Sequence, residues 1–112
     1  MLGQRWAFGE GRVGGPSNYA TFVLLANPGT VDATSTVTYL RANSATVLRT
    51  VTVPRQSRLN IWVNVDIPEL ANESFGVSIV STMPIFAERA MYSDAGSVQF
   101  AAGSVVTATR VP

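Results

Sequence analysis

Leu59–Asn60–Ile61–Trp62–Val63–Asn64–Val65 is the stretch on which the fold turns. Leu59, Ile61, Val63 and Val65 fall on one side of an extended chain and Asn60, Trp62 and Asn64 on the other, the period of a half-buried strand. Phe75, Val77 and Ile79 alternate with Gly76 and Ser78 in the same way. Outward from this core, turn formers cut the chain at Gly9–Gly15, Asn27–Asp32, Arg41–Ala45, Pro54–Ser57, Asp66–Ser74, Met83–Pro84, Ser93–Gly96 and Gly103. The intervening segments predict strands at Gln4–Phe8, Tyr19–Ala26, Ser35–Leu40, Thr46–Val53, Leu59–Val65, Phe75–Ser81, Ile85–Tyr92 and Val98–Ala101, with a weak ninth at Val105–Thr109. Short strands at even spacing are the pattern of an all-β sandwich or barrel, and the expectation adopted is an antiparallel sandwich of about 7–9 strands.

Composition agrees. Of 112 residues, 15 are Val, 4 Ile and 11 Thr, and such stiff branched side chains suit pleated sheet better than helix. An apolar fraction of 46% against 13% charged leaves little repulsion to hold the chain open, so a single folded domain over residues 1–112 is expected. The sequence has no Cys, no His and no Lys. Disulfides, thiolate nucleophiles, imidazole bases and Schiff bases are therefore absent, and the chain is read as a non-enzyme. A net charge of +1 gives no basis for nucleic-acid binding. The uncharged run Val13–Val31 is broken by Gly14–Gly15–Pro16 and Asn27–Pro28–Gly29, so no membrane span is expected. Met1–Arg5 is followed by no apolar signal-peptide core.

Some segments depart from simple alternation. Tyr19–Ala26 is apolar on both faces, as for a central strand or one at an interface. Ser35–Leu40 and Thr46–Val53 read as a hairpin about Ala42–Ala45, with threonines on the wet face. Asp66–Asn72 predicts a single helical turn crossing between sheets, with Asp66 and Glu69 at capping-box spacing and Asn72 in the left-handed position. Gln4–Arg5–Trp6 near the start is echoed by Ala108–Thr109–Arg110 near the end, which suggests one unit of a tandem array.

A longer string of motifs carries a resemblance. Trp6–Ala7–Phe8–Gly9–Glu10–Gly11, Thr21–Phe22–Val23–Leu24–Leu25–Ala26–Asn27–Pro28–Gly29, Val37–Thr38–Tyr39–Leu40, Val53–Pro54, Ser57–Arg58, the Asp66–Ala71 turn and Pro84–Ile85–Phe86–Ala87–Glu88–Arg89–Ala90–Met91–Tyr92 together resemble a bacterial family of immunoglobulin-like β-sandwich repeats of unassigned function. The resemblance covers Trp6 to Tyr92 and stops after Ser93. It implies an immunoglobulin-like sandwich serving as a spacer or adhesion module in a secreted or cell-surface protein. Its partners would be neighbouring modules of the same protein or copies of itself. No catalytic residues come with it.

Three groups of residues are candidate sites. Trp62, with Asn60 and Asn64 beside it, is a platform on which a glycan ring could stack. Asp66, Glu69 and Glu73 surround a tight turn and are the candidate ligands for calcium, the one cofactor considered. Glu88 and Arg89 put adjacent charges in an apolar strand and are read as a structural ion pair. The unmatched segment Val98–Pro112 offers a strand for pairing with the sheet edge of another subunit, the route to self-assembly.

Overall fold

The computed structural model describes residues 3–15, 18–42, 45–95, 98–107 and 109–110, with side chains described except at 10, 94–95, 98–107 and 110. Among the described residues eight strands form: β1 (Gly3–Arg12), β2 (Ala20–Asn27), β3 (Ala33–Arg41), β4 (Val47–Val53), β5 (Ser57–Trp62), β6 (Ser74–Ala95), β7 (Val98–Thr107) and β8 (Thr109–Arg110). Every described pairing is antiparallel. The all-β expectation holds, and the strands join into one curled sheet through β6. Along its first half β6 lies between β3 and β1, in the order β4-β3-β6-β1-β8. Along its second half it lies between β2 and β7, with β5 beyond β2.

The two halves bury a single core between them. Trp6, Val37, Tyr39, Val77 and Ile79 enter from one half, and Val23, Leu25, Ile61 and Ala87 from the other. Alternation drives this: in β2 the odd positions Val23, Leu25 and Asn27 are buried, while Phe22, Leu24 and Ala26 are only half-buried on the outer face. Asn27 is buried because its amide is fully used. Its Nδ2 donates to Val31 O and Val53 O, and its Oδ1 accepts from Gly29 N, which closes the Asn27–Pro28–Gly29 turn.

Three expectations are corrected here. The strand break at Met83–Pro84 is instead a bend inside β6. Between Gly3↔Ile85 and Arg5↔Val80, two steps along β1 span five along β6, so Ser81–Pro84 bulges out of that ladder. Pro84 is tolerated because it sits where β6 passes from one half of the sheet to the other, and its missing N–H breaks no ladder bond. Likewise Gly103 does not end a strand, since it pairs with Tyr92 within β7.

The third correction concerns the stretch that opened the reading. The strand ends at Trp62, and Val63–Asp66 turns into one helical turn, α1, followed by a 3-10 turn at Pro68–Leu70. Val63 still reaches the core, but Val65 swings out to 61% exposure. The turns cross from β5 in one half to β6 in the other, and Asn72 takes the expected left-handed conformation at φ 59°. Asp66 does not cap the second turn. Its Oδ2 accepts from Trp62 N one turn earlier. At the C-terminal end, Val98–Thr107 and Thr109–Arg110 pair with β6 and β1 of the same chain. Asn43–Ser44 of the expected hairpin turn, Gly96 of the expected break, and Ala108 lie outside the described residues.

Candidate functional site

The outer face of the β5–β2–β6 half carries a cluster of aromatic and apolar side chains, whereas the other exposed apolar residues, Leu40, Leu48 and Val80 of the opposite half among them, carry no aromatic ring. Register builds the cluster row by row. Phe22 lies between Trp62 and Ala90, Leu24 between Asn60 and Glu88, and Ala26 between Arg58 and Phe86. Trp62 stacks on Phe22 with ring centroids 5.5 Å apart and planes 19° from parallel. Tyr92 meets the same Phe22 edge-on at 6.0 Å. Offset stacking and edge contacts are the favoured arrangements of aromatic rings, and they fix the rotamers of a surface that is partly in water. Trp62 remains 40% exposed and Phe86 38%.

Beside the aromatic cluster is a shallow hollow of about 210 Å³, floored by Leu24 and Ala26 and bordered by Asn60 and Phe86. Arg58 and Glu88 stand at its sides, one on each strand flanking β2. The face therefore offers flat aromatic area, a small apolar depression, and one charge of each sign.

The sequence candidates fare differently. Trp62 and Asn60 share this face as expected. Asn64 does not: α1 rotates it away, and it knits the start of β2 to the turn. Its Nδ2 donates to Tyr19 O, and its Oδ1 accepts from Thr21 N. The proposed glycan trio is thus reduced to a pair by the same helical turn that ended the strand.

The three carboxylates proposed for calcium are engaged separately. Glu73 accepts two hydrogen bonds from Arg41, Nε at 2.9 Å and Nη2 at 2.6 Å. Glu69 pairs with Arg49 at 2.5 Å. Asp66 holds Trp62 N. Among the described residues no group of three potential metal ligands converges. The hydrogen bonds from Arg41 and Arg49 hold the Glu73 and Glu69 carboxyls below the ordinary range.

Glu88 and Arg89 are not paired with each other. Successive residues of a strand face opposite ways. Glu88 borders the outer hollow, whereas Arg89, opposite Val23, is turned inward and is only 8% exposed. Sequence reading missed Phe22, Leu24, Phe86, Tyr92 and Arg58 as parts of one surface. The double-sided apolarity of Tyr19–Ala26 was the available signal, because a strand with an apolar outer face must be covered or sticky.

No protein-family model matches the chain, and no curated protein matches it. Solved structures do. The crystal structure of Thermotoga maritima 1070 superposes with a TM-score of 0.84 at 16% identity, over 97% of this chain and 95% of that one. The Anabaena sensory rhodopsin transducer superposes with a TM-score of 0.67 at 23% identity, over 80% of this chain and 88% of that one. At these identities the likeness is one of fold.

Proposed function

We propose that this domain is a non-catalytic structural module that works by pairing the outer face of its β5–β2–β6 half with an equivalent face, on a second copy or a neighbouring module. The carrying observation is the Trp62–Phe22–Tyr92 cluster lying beside a hollow flanked by Arg58 and Glu88. Aromatic residues and Arg are the types enriched where protein surfaces meet. One positive and one negative side chain on opposite sides of the same strand make the face self-complementary. Under a two-fold axis, Arg58 of each copy faces Glu88 of the other.

The reading extends to a place in a secreted or surface-attached bacterial protein, as a spacer or adhesion module. The two halves of the curled sheet act in it as the layers of an immunoglobulin-like sandwich sharing β6. The fold likeness to a protein called a sensory rhodopsin transducer supports action through contact with another protein. The proposal places association on the face and not in an exchanged C-terminal strand, since β7 pairs with β6 of its own chain.

Light scattering across a concentration series tests this. Mass rises with concentration, Arg58→Glu weakens association by about tenfold or more, and adding Glu88→Arg restores it. A wild-type chain that stays monomeric at millimolar concentration sinks the proposal. The exposed Trp62 with Asn60 beside it supports a second reading, carbohydrate recognition. Its test is a glycan panel followed by Trp62 fluorescence, and a flat response from every sugar removes it.

A further inference from the structure

A second hollow, which meets the pairing face at Asn60, opens on the side of the molecule where β4 and β5 each have a single ladder partner among the described residues. Its volume is about 200 Å³. Val51, Leu59, Ile61 and Ile67 line it, and Tyr39 closes the bottom. Arg49 and Asp66 stand on the solvent side. The Tyr39 side chain is fully buried, packed edge-on against Phe75 at 5.7 Å. Its hydroxyl has no hydrogen-bond partner among the described residues. Tyr39 lines the hollow together with Arg49 and Asp66.

A buried tyrosine hydroxyl ordinarily finds a partner, because leaving one unmade is costly. Here the polar group stands alone at the base of an apolar recess, the layout of a small-molecule site in which one polar contact fixes orientation. Size narrows the occupant. A closed apolar cavity of about 150 Å³ accepts benzene, so this half-open hollow takes one six-membered ring with a small substituent. Charge narrows it further. Arg49 is neutralised by Glu69, and Asp66 adds negative charge, so an anion is disfavoured.

We infer that the hollow between β4 and β5 is a binding site for a small neutral ring compound carrying one hydroxyl or carbonyl oxygen, which bonds the Tyr39 hydroxyl.

Titration with p-cresol, toluene and 4-methylbenzoate, followed by amide shifts of Ile61 and Ile67 in 1H–15N spectra, tests the assignment. p-Cresol binds at millimolar or lower concentration, while toluene, which lacks the oxygen, binds about tenfold more weakly. The benzoate is weaker than p-cresol. Tyr39→Phe keeps the fold and brings p-cresol down to the toluene level. Val51→Trp, which puts a larger side chain at a lining position of the hollow, blocks p-cresol and toluene alike. The inference is overturned if p-cresol leaves Ile61 and Ile67 unmoved. It is equally overturned if Tyr39→Phe preserves the preference for p-cresol, or if the shifts map only to Phe22 and Trp62.

Discussion

Two glycines of β1 illustrate how single residues divide between tolerance and necessity. β1 carries an extra residue between Phe8↔Val77 and Gly11↔Phe75, so the strand bulges just where it crosses the Phe75 ring. A Cβ placed on Gly11 would meet Phe75 Cε2 at 2.5 Å and Cζ at 2.7 Å. Phe75 cannot retreat easily, because it is buried with its ring against Tyr39. A Cβ on Gly9 meets nothing within 4 Å. Gly11→Ala is therefore expected to cost about 1–3 kcal/mol by overpacking. Gly9→Ala is expected to be neutral or slightly stabilising, since it lowers the freedom of the unfolded chain. Urea midpoints of the two variants check this, and equal midpoints would refute the account of the bulge.

At the level of elements, β6 organises the molecule, and the bend that lets one strand serve both halves is held by Trp6. Its Nε1 donates to Gly3 O at 3.0 Å and to Ile85 O at 3.1 Å, joining the start of β1 to the residue after the bulge. Gln4 and Thr34 add bonds to Thr82, inside the bulge. Trp6→Phe removes the donor, leaves two carbonyls with one partner fewer, and empties part of a buried site. The expected loss is about 2–4 kcal/mol. Trp62→Phe, on the outer face, is expected to cost about 1 kcal/mol or less, and reversal of that order in denaturant titrations would disprove the assignment. The same element shows what was legible. Alternation alone placed Val77 and Ile79 inward and put Trp62 and Asn60 on one face, because period-two burial is a local property. The bend was not legible: Pro84 reads as a terminator, and only the register with β1 and β2 shows that the chain continues. Nor was the separation of Asp66, Glu69 and Glu73 legible. Glu69 and Glu73 are claimed by Arg49 and Arg41, which lie 20 and 32 residues away along the chain.

For the whole molecule, the missing residue types set how stability follows pH. With no His and no Cys, no side chain has an ordinary pKa between about 5 and 8, so stability is expected to be level across that range. The acid limb belongs to Glu69 and Glu73, whose folded pKa values lie below the ordinary 4.5 because Arg49 and Arg41 hydrogen-bond their carboxylates. A depressed folded pKa means the unfolded chain takes up protons first. The contribution of these pairs is thus complete above pH 4.5 and drains away as pH falls through the folded values. The alkaline limb belongs to Tyr39, which burial chiefly, and then the charge of Asp66, pushes above its ordinary 10.0. A raised folded pKa reverses the sign for this phenol: its contribution is complete below pH 10 and is lost as pH rises beyond it, because the unfolded chain ionises while the native one resists. Unfolding free energies from urea titrations across pH should therefore trace a plateau with two shoulders. Glu73→Gln should make the acid shoulder shallower and leave the alkaline one alone, and Tyr39→Phe should do the reverse. A single variant that flattened both shoulders would show that the two limbs share one cause, and this division of the molecule would have to be abandoned.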